Sequence, residues 1–305
     1  MSYLNSLRLR IPAAFGPAGR RHSVNAALAL AMSLATAAPL AAQNPAPTDE
    51  RTITPKDTAH TAQQKTLFTY RDALLAGGFA ALTVLMFPAD RAIARKLTDS
   101  SLTTNRFFQN SARGFEGITA PGAYIIGGGL YAVGRLAHKP NLADLGWHGT
   151  ESVILATAIT GVLKGTMGRA RPFVTNDTNP RDFQLGGGFR NADRQSFPSG
   201  HTTTAFAVAS SVTSETRRLY PNAVKFVAPV MYGGATLVGL SRMYHNKHWA
   251  SDVVLGAGIG TFSGIKVVRY SHAHPQNKVD RVILGTTIAM NGEDGVALGF
   301  TVPVK

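Results

Sequence analysis

The chain has 305 residues, no cysteine, 44% hydrophobic residues and a formal charge of +14. Without cysteine there is neither a disulfide framework nor thiol catalysis, and the apolar fraction is enough for a real core. The positive balance favours anionic partners, either phosphorylated substrates or acidic lipid surfaces. No nucleic-acid-binding motif accompanies it, so nucleic acid is set aside.

The first 42 residues read as an export signal. A basic stretch ends at Arg20-Arg21-His22, an apolar run follows from Ala26 to Leu40, and Ala41-Ala42-Gln43 supplies small residues for a cut near Ala42. An uncleaved membrane anchor is the other reading of this run. Residues 43–69, rich in Thr, Pro, Gln and charge, read as a flexible linker.

Six apolar, Ala/Gly-rich segments follow, near 73–88, 117–134, 152–163, 202–214, 226–241 and 253–265. They predict an all-α domain over 70–272, a bundle of about six apolar helices. Most are short between charges compared with the roughly 20 residues that span a bilayer, so they also fit the core of a compact bundle. The tail, 273–305, differs. Alternating apolar positions flank Asn291-Gly292-Glu293-Asp294-Gly295, which predicts a short β-hairpin with one apolar face.

Three polar patches interrupt the apolar segments. The first is Lys164 with Arg171-Pro172. The second is Pro198-Ser199-Gly200-His201. The third is Ser241-Arg242, then His248 and Asp252. Each patch alone has an ordinary reading: a solvated helix face, a turn into a helix, an i,i+4 surface pair. Together they supply the parts of one reaction. Lys164, Arg171 and Arg242 can surround a phosphoryl group, the arginines through bidentate forks and the lysine as a point charge. Ser199 and Gly200 add a hydroxyl and a closely approachable backbone N–H. With three cations neutralising the phosphate, no metal is required. On a helix, His248 and Asp252 would share a face, and a carboxylate can fix one ring nitrogen as N–H, leaving the other free to attack. The loop from Phe173 to Phe197, with Gly186-Gly187-Gly188, is long enough to cover such a pocket.

Over about residues 150–256 the three patches, in this order and spacing, resemble the signature of the type 2 phosphatidic acid phosphatase and vanadium haloperoxidase superfamily, with every signature position filled. The resemblance implies a metal-independent phosphatase acting through a phosphohistidine. In it His248 is the nucleophile, Asp252 its orienter, and His201 the acid that protonates the leaving oxygen and later activates water. Lys164, Arg171, Ser199, Gly200 and Arg242 bind the phosphate. It implies no cofactor, with vanadate as an inhibitor, and a phosphorylated lipid or small phosphomonoester as substrate. Two alternatives stay open: a vanadate-dependent haloperoxidase, which resembles larger chains with wider spacing between patches, and a non-catalytic membrane-surface binding protein.

Location follows from parity. If the signal is cleaved, three crossings would put the first patch in the cytoplasm, against export. The expectation is therefore an exported, periplasmic helical domain, soluble or membrane-associated through its basic surface, with an integral inner-membrane protein as the alternative.

Overall fold

In the computed structural model the described residues are 68–98, 120–274, 277–284, 286–291 and 295–300, with positions 110 and 114. The predicted signal and nearly all of the predicted linker lie outside them. The fold is predominantly helical. Helix α1 (Tyr70–Met86) runs through a single 3-10 turn into α2 (Asp90–Leu97). Then come α3 (Ala120–Leu136), α4 (Pro140–Met167), α5 (Gly200–Leu219), α6 (Val224–Tyr244), α7 (Ala250–Ala273) and the short α8 (Lys278–Ile283). The backbone of Thr286–Asn291 and Gly295–Phe300 runs in antiparallel register.

Helices α4, α5 and α7 form the centre. Around them α3 packs on α4, α6 on α5 and α1 on α7. Val153 and Ala156 of α4 meet Ala207 of α5 in the fully buried core. The α5–α7 contact is set by a stripe of small residues, Gly256, Gly260 and Gly264. A Cβ on Gly256 would lie 2.7 Å from the Ser199 carbonyl oxygen. One on Gly260 would strike the Thr203 carbonyl, and one on Gly264 the Ser210 hydroxyl. Close backbone approach of this kind fixes the register of two helices without large side chains. Here it locks the start of α7 against the start of α5.

The helices run longer than the apolar segments that announced them, because the charges at the segment edges did not end them. Lys266 continues inside α7 by pairing with Asp72 of α1 at 2.7 Å. As a result Tyr70–Leu97, Pro221–Tyr244 and Ala250–Ala273 are each long and apolar enough to cross a membrane. Among the described residues, this corrects the expectation for the segments near 73–88, 226–241 and 253–265.

Candidate active site

The three patches meet at one end of the bundle, carried by helix ends. Lys164 lies in the last turn of α4, which closes on Gly168 in the left-handed conformation (φ +59°) with its N–H on the Lys164 carbonyl. That conformation favours glycine, and a Cβ there would also collide with the Gln184 carbonyl. The reversal sends Arg169 and Arg171 back across the helix end. Ser199 is the N-cap residue of α5, with Gly200 and His201 in its first turn. Arg242 lies in the last turn of α6. His248 and Asp252 flank the start of α7.

The patches are joined by specific contacts. The Ser199 N–H donates to the Asp252 carbonyl oxygen at 3.0 Å, tying the second patch to the third. The Ser199 hydroxyl, fully buried, accepts from Thr202 at 2.9 Å. Gly200 lies against the Lys164 side chain, so an added Cβ would sit 3.6 Å from Cε. Lys164 Nζ donates to the Gln195 carbonyl. Arg171 Nε donates to the Ala192 carbonyl at 3.3 Å. His201 is half-buried at the α5 N-terminus, where the first backbone N–H groups of the helix have no intrahelical acceptor.

The His248–Asp252 pair differs from its sequence reading. His248 is not on a helix; it precedes Trp249, the N-cap of α7. Its Nδ1 lies 2.7 Å from the Ser196 carbonyl and 3.6 Å from Asp252 Oδ2. A carbonyl can only accept, so Nδ1 carries the proton and Nε2 keeps the lone pair. The nearest fixer of the ring is thus a backbone carbonyl, with Asp252 behind it. Asp252 is fully buried. It accepts from the Ser196 hydroxyl at 2.5 Å, from the Trp249 N–H at 2.8 Å and from Arg169 Nη1 at 2.5 Å. Its acceptance from Trp249 also caps α7.

Sequence reasoning missed Arg169, Asp90 and Ser196. Arg169 is completely buried and pairs with Asp252 on one side and Asp90 of α2, at 2.7 Å, on the other. Phe87, Phe183, Phe197 and Trp249 pack around its guanidinium. Asp90 also accepts from the Ser251 N–H at 2.8 Å and hydroxyl at 2.6 Å. The doublet Arg169-x-Arg171 was the available signal, but nothing local separates a phosphate ligand from a scaffold arginine. The 173–197 loop does not stand free over the pocket. It folds back on α4 through Gln184 N–H to Gly168 (3.1 Å) and Gly186 N–H to Thr166 (2.7 Å), and its end delivers the Gln195 and Ser196 carbonyls.

The electrostatics are those of an anion site. Burial, then the charges of Arg171 and Arg242, push Lys164 down to about 7, with Asp252 opposing. Lys164 lies on α4, which is not among the three candidate spans. Burial, then Arg242, lowers Arg171 from its ordinary value. His248 is pushed down to about 3, first by burial and then by Lys164 and Arg171, against the pull of Asp252. Three cations crowd one another around a neutral imidazole, and an arriving anion relieves that repulsion.

Comparison with known proteins points to the same stretch of the chain. Residues 146–275 match the model of the PAP2 superfamily. A lipid A 1-phosphatase of Porphyromonas gingivalis is 42% identical over 69 residues, 23% of this chain and 15% of that protein. One of Rhizobium etli is 32% identical over 124 residues, 39% of this chain and 48% of that protein. The chain therefore spans less than half the length of either relative. In fold it is similar to the crystal structure of the first transmembrane PAP2 type phosphatidylglycerolphosphate phosphatase from Bacillus subtilis. The TM-score is 0.50 at 22% identity, covering 69% of this chain and 99% of that one. Motif, helix-end geometry and the match to the PAP2 superfamily model coincide on the same stretch, residues 146–275.

Proposed function

We propose that the chain is a membrane-associated lipid phosphatase that removes a phosphate from a phosphorylated lipid through a phosphohistidine on His248. The carrying observation is the convergence of Lys164, Arg171 and Arg242 on a buried, neutral His248 whose Nδ1 proton is held by the Ser196 carbonyl. The three cations and the α5 N-terminus hold the phosphoryl oxygens and offset charge that builds in the transition state. Nε2 of His248 attacks phosphorus as the bond to the leaving oxygen breaks, and His201 gives that oxygen a proton. Water then attacks the phosphohistidine, His201 takes the water's proton, the P–N bond breaks and inorganic phosphate leaves. No metal takes part in these steps.

The relatives named as lipid A 1-phosphatases favour a lipid whose phosphate sits on a sugar. Large exposed apolar side chains on α1 (Leu74, Val84, Leu85) and α6 (Phe226, Val230, Leu240) fit insertion in lipid better than release by salt. Export, with the site on the periplasmic face, and a C-terminal hairpin with one apolar face belong to the same proposal.

The test is a panel assay of the detergent-purified protein on sugar-linked lipid phosphates, glycerophospholipid phosphates and soluble phosphomonoesters, with acid-quench trapping of labelled phosphoenzyme. His248→Ala is expected to lower kcat by at least about 10³-fold and to trap no label. Wild-type turnover by that variant, with the fold intact by circular dichroism, would overturn the mechanism.

A further inference from the structure

At the other end of the bundle lies a second cluster of titratable groups, about 30 Å along α7 from Asp252 at 1.5 Å per residue. The phosphate chemistry does not use it. Asp144, His148 and Glu151 follow one face of α4 at i, i+4 and i+7. Glu215 comes from the end of α5, His272 from the last turn of α7 and Asp280 from α8. His148 and Glu215 are each 1% exposed. A single carboxylate oxygen, Oε1 of Glu215, lies 2.6 Å from His148 Nδ1 and 2.8 Å from His272 Nε2. The two imidazoles stand edge to face with centroids 5.1 Å apart.

Two features of this cluster go beyond a carboxylate shared by two imidazoles. First, Nε2 of His148 is buried with no hydrogen bond within 3.5 Å among the described residues, and it faces Asp280 Oδ2 as an ion pair at 3.7 Å. The Asp280 carboxylate is itself fixed by Trp147 Nε1 at 2.9 Å and Asn277 Nδ2 at 2.6 Å. Second, the cluster is rich in carboxylates. Four carboxylates, Asp144, Glu151, Glu215 and Asp280, gather around the imidazoles. Among the described residues, Arg218 pairs with two of them, its Nε 3.3 Å from Glu215 and its Nη2 3.8 Å from Asp144. Oε2 of Glu151 is likewise buried with no hydrogen-bond partner among the described residues.

We propose that His148 Nδ1, His272 Nε2 and Glu215 hold a divalent transition-metal ion of the zinc class, which clasps α4, α5 and α7 together. Two imidazoles and a carboxylate are a common donor set for such an ion, and the donor atoms of the three residues all lie within 4.8 Å of one another. In a tetrahedral site with bonds near 2.0–2.1 Å, donors stand about 3.3 Å apart, so the two close pairs open by well under an ångström. Binding at His148 Nδ1 and His272 Nε2 releases the protons those atoms give to Glu215 into solvent, and the N–H left on the His148 ring is at Nε2, facing Asp280. This gives the carboxylate–histidine–metal arrangement that fixes ring orientation in metal sites. The ion supplies positive charge among the four carboxylates. His272, whose side chain is 26% exposed, gives access from solvent. At this distance from the phosphate site, the metal acts on stability and not on turnover.

The test uses full-length, tag-free protein in detergent, stripped with EDTA and dialysed. One equivalent of Zn²⁺ or Co²⁺ is then added, and bound metal is measured by elemental analysis after equilibrium dialysis. Wild type is expected to hold one metal per chain, to show the visible absorption of four-coordinate cobalt, and to melt several degrees higher with zinc. His272→Ala, a change at a partly exposed side chain, is expected to lose at least tenfold in metal affinity and the zinc-dependent melting shift. Glu215→Gln checks the same loss at a second ligand. Equal zinc binding by wild type and His272→Ala, or no binding by wild type, would overturn the site. Phosphatase activity of the stripped wild type is read in parallel and is expected to persist, so a failure of the metal site stays distinct from a failure of the proposed function.

Discussion

Arg169→Met removes the one guanidinium that links Asp90 to Asp252, and both partners stay buried. Arg169, Asp90 and Asp252 are each fully excluded from solvent, with ion-pair distances of 2.7 and 2.5 Å. Taking one member from a buried ionic network leaves charge without compensation, which costs about 3–5 kcal/mol. That is a large part of the 5–15 kcal/mol typical of a domain. At roughly 2–4 °C per kcal/mol for a domain near 200 residues, the melting temperature should fall by about 6–20 °C. Asp90→Asn added to Arg169→Met removes one of the stranded charges and should recover part of that loss. Arg169→Lys should not rescue, because one ammonium on a shorter reach cannot replace a fork that bonds Asp90, Asp252, Ser251 and the Pro180 carbonyl together. Asp252 also anchors the Ser196 hydroxyl, whose backbone carbonyl holds His248, so kcat should fall at least tenfold at temperatures where the variant stays folded. The assay is thermal unfolding by circular dichroism beside steady-state turnover. A melting shift below about 2 °C with unchanged kcat would refute the view that Arg169 carries this end of the bundle.

The other predictions concern the reaction itself. His201→Ala should lower kcat by about 10²–10⁴-fold on an alkyl or sugar phosphate. It should act far less on an aryl phosphate, whose leaving group needs little protonation; equal losses on both would remove His201 as the acid. On the proposed function the protonated form of Lys164 binds phosphate, and burial with its arginine neighbours lowers its pKa to about 7. Binding is therefore full below that pH and weakens as pH rises through it, so kcat/KM should decline above about 7. Lys164→Arg should move that limb upward, and an unmoved limb would assign it elsewhere. The acid limb should lie well below pH 5, since His248 stays neutral down to about 3. Initial rates should survive EDTA, and vanadate should compete with substrate for the cationic pocket. Loss of activity in EDTA that magnesium restores would point to a metal-dependent mechanism.

The sequence by itself carried the chemistry that resides in residue types: the cations Lys164, Arg171 and Arg242, the two histidines, the carboxylate at 252, and a chain of apolar segments that had to become helices. Those features are legible because charge, nucleophilicity and hydrophobic run length are local properties. What holds them in place was not legible. Arg169 meets its partners 79 and 83 residues away along the chain, so its difference from Arg171 exists only after folding. The group that orients His248 is the Ser196 carbonyl, which every residue type carries and no motif can mark. The spacing of His248 and Asp252 suggested one helical face, yet α7 starts between them, because Asp252 is spent on capping that helix and binding Arg169. Helix length was also a tertiary decision. Lys266 would end an apolar run in an isolated helix, but a buried partner on α1 let α7 continue to a length that can cross a membrane. Composition names the groups that can react. Only the packing of α4, α5 and α7, set by glycine contacts between backbones, decides which of them meet.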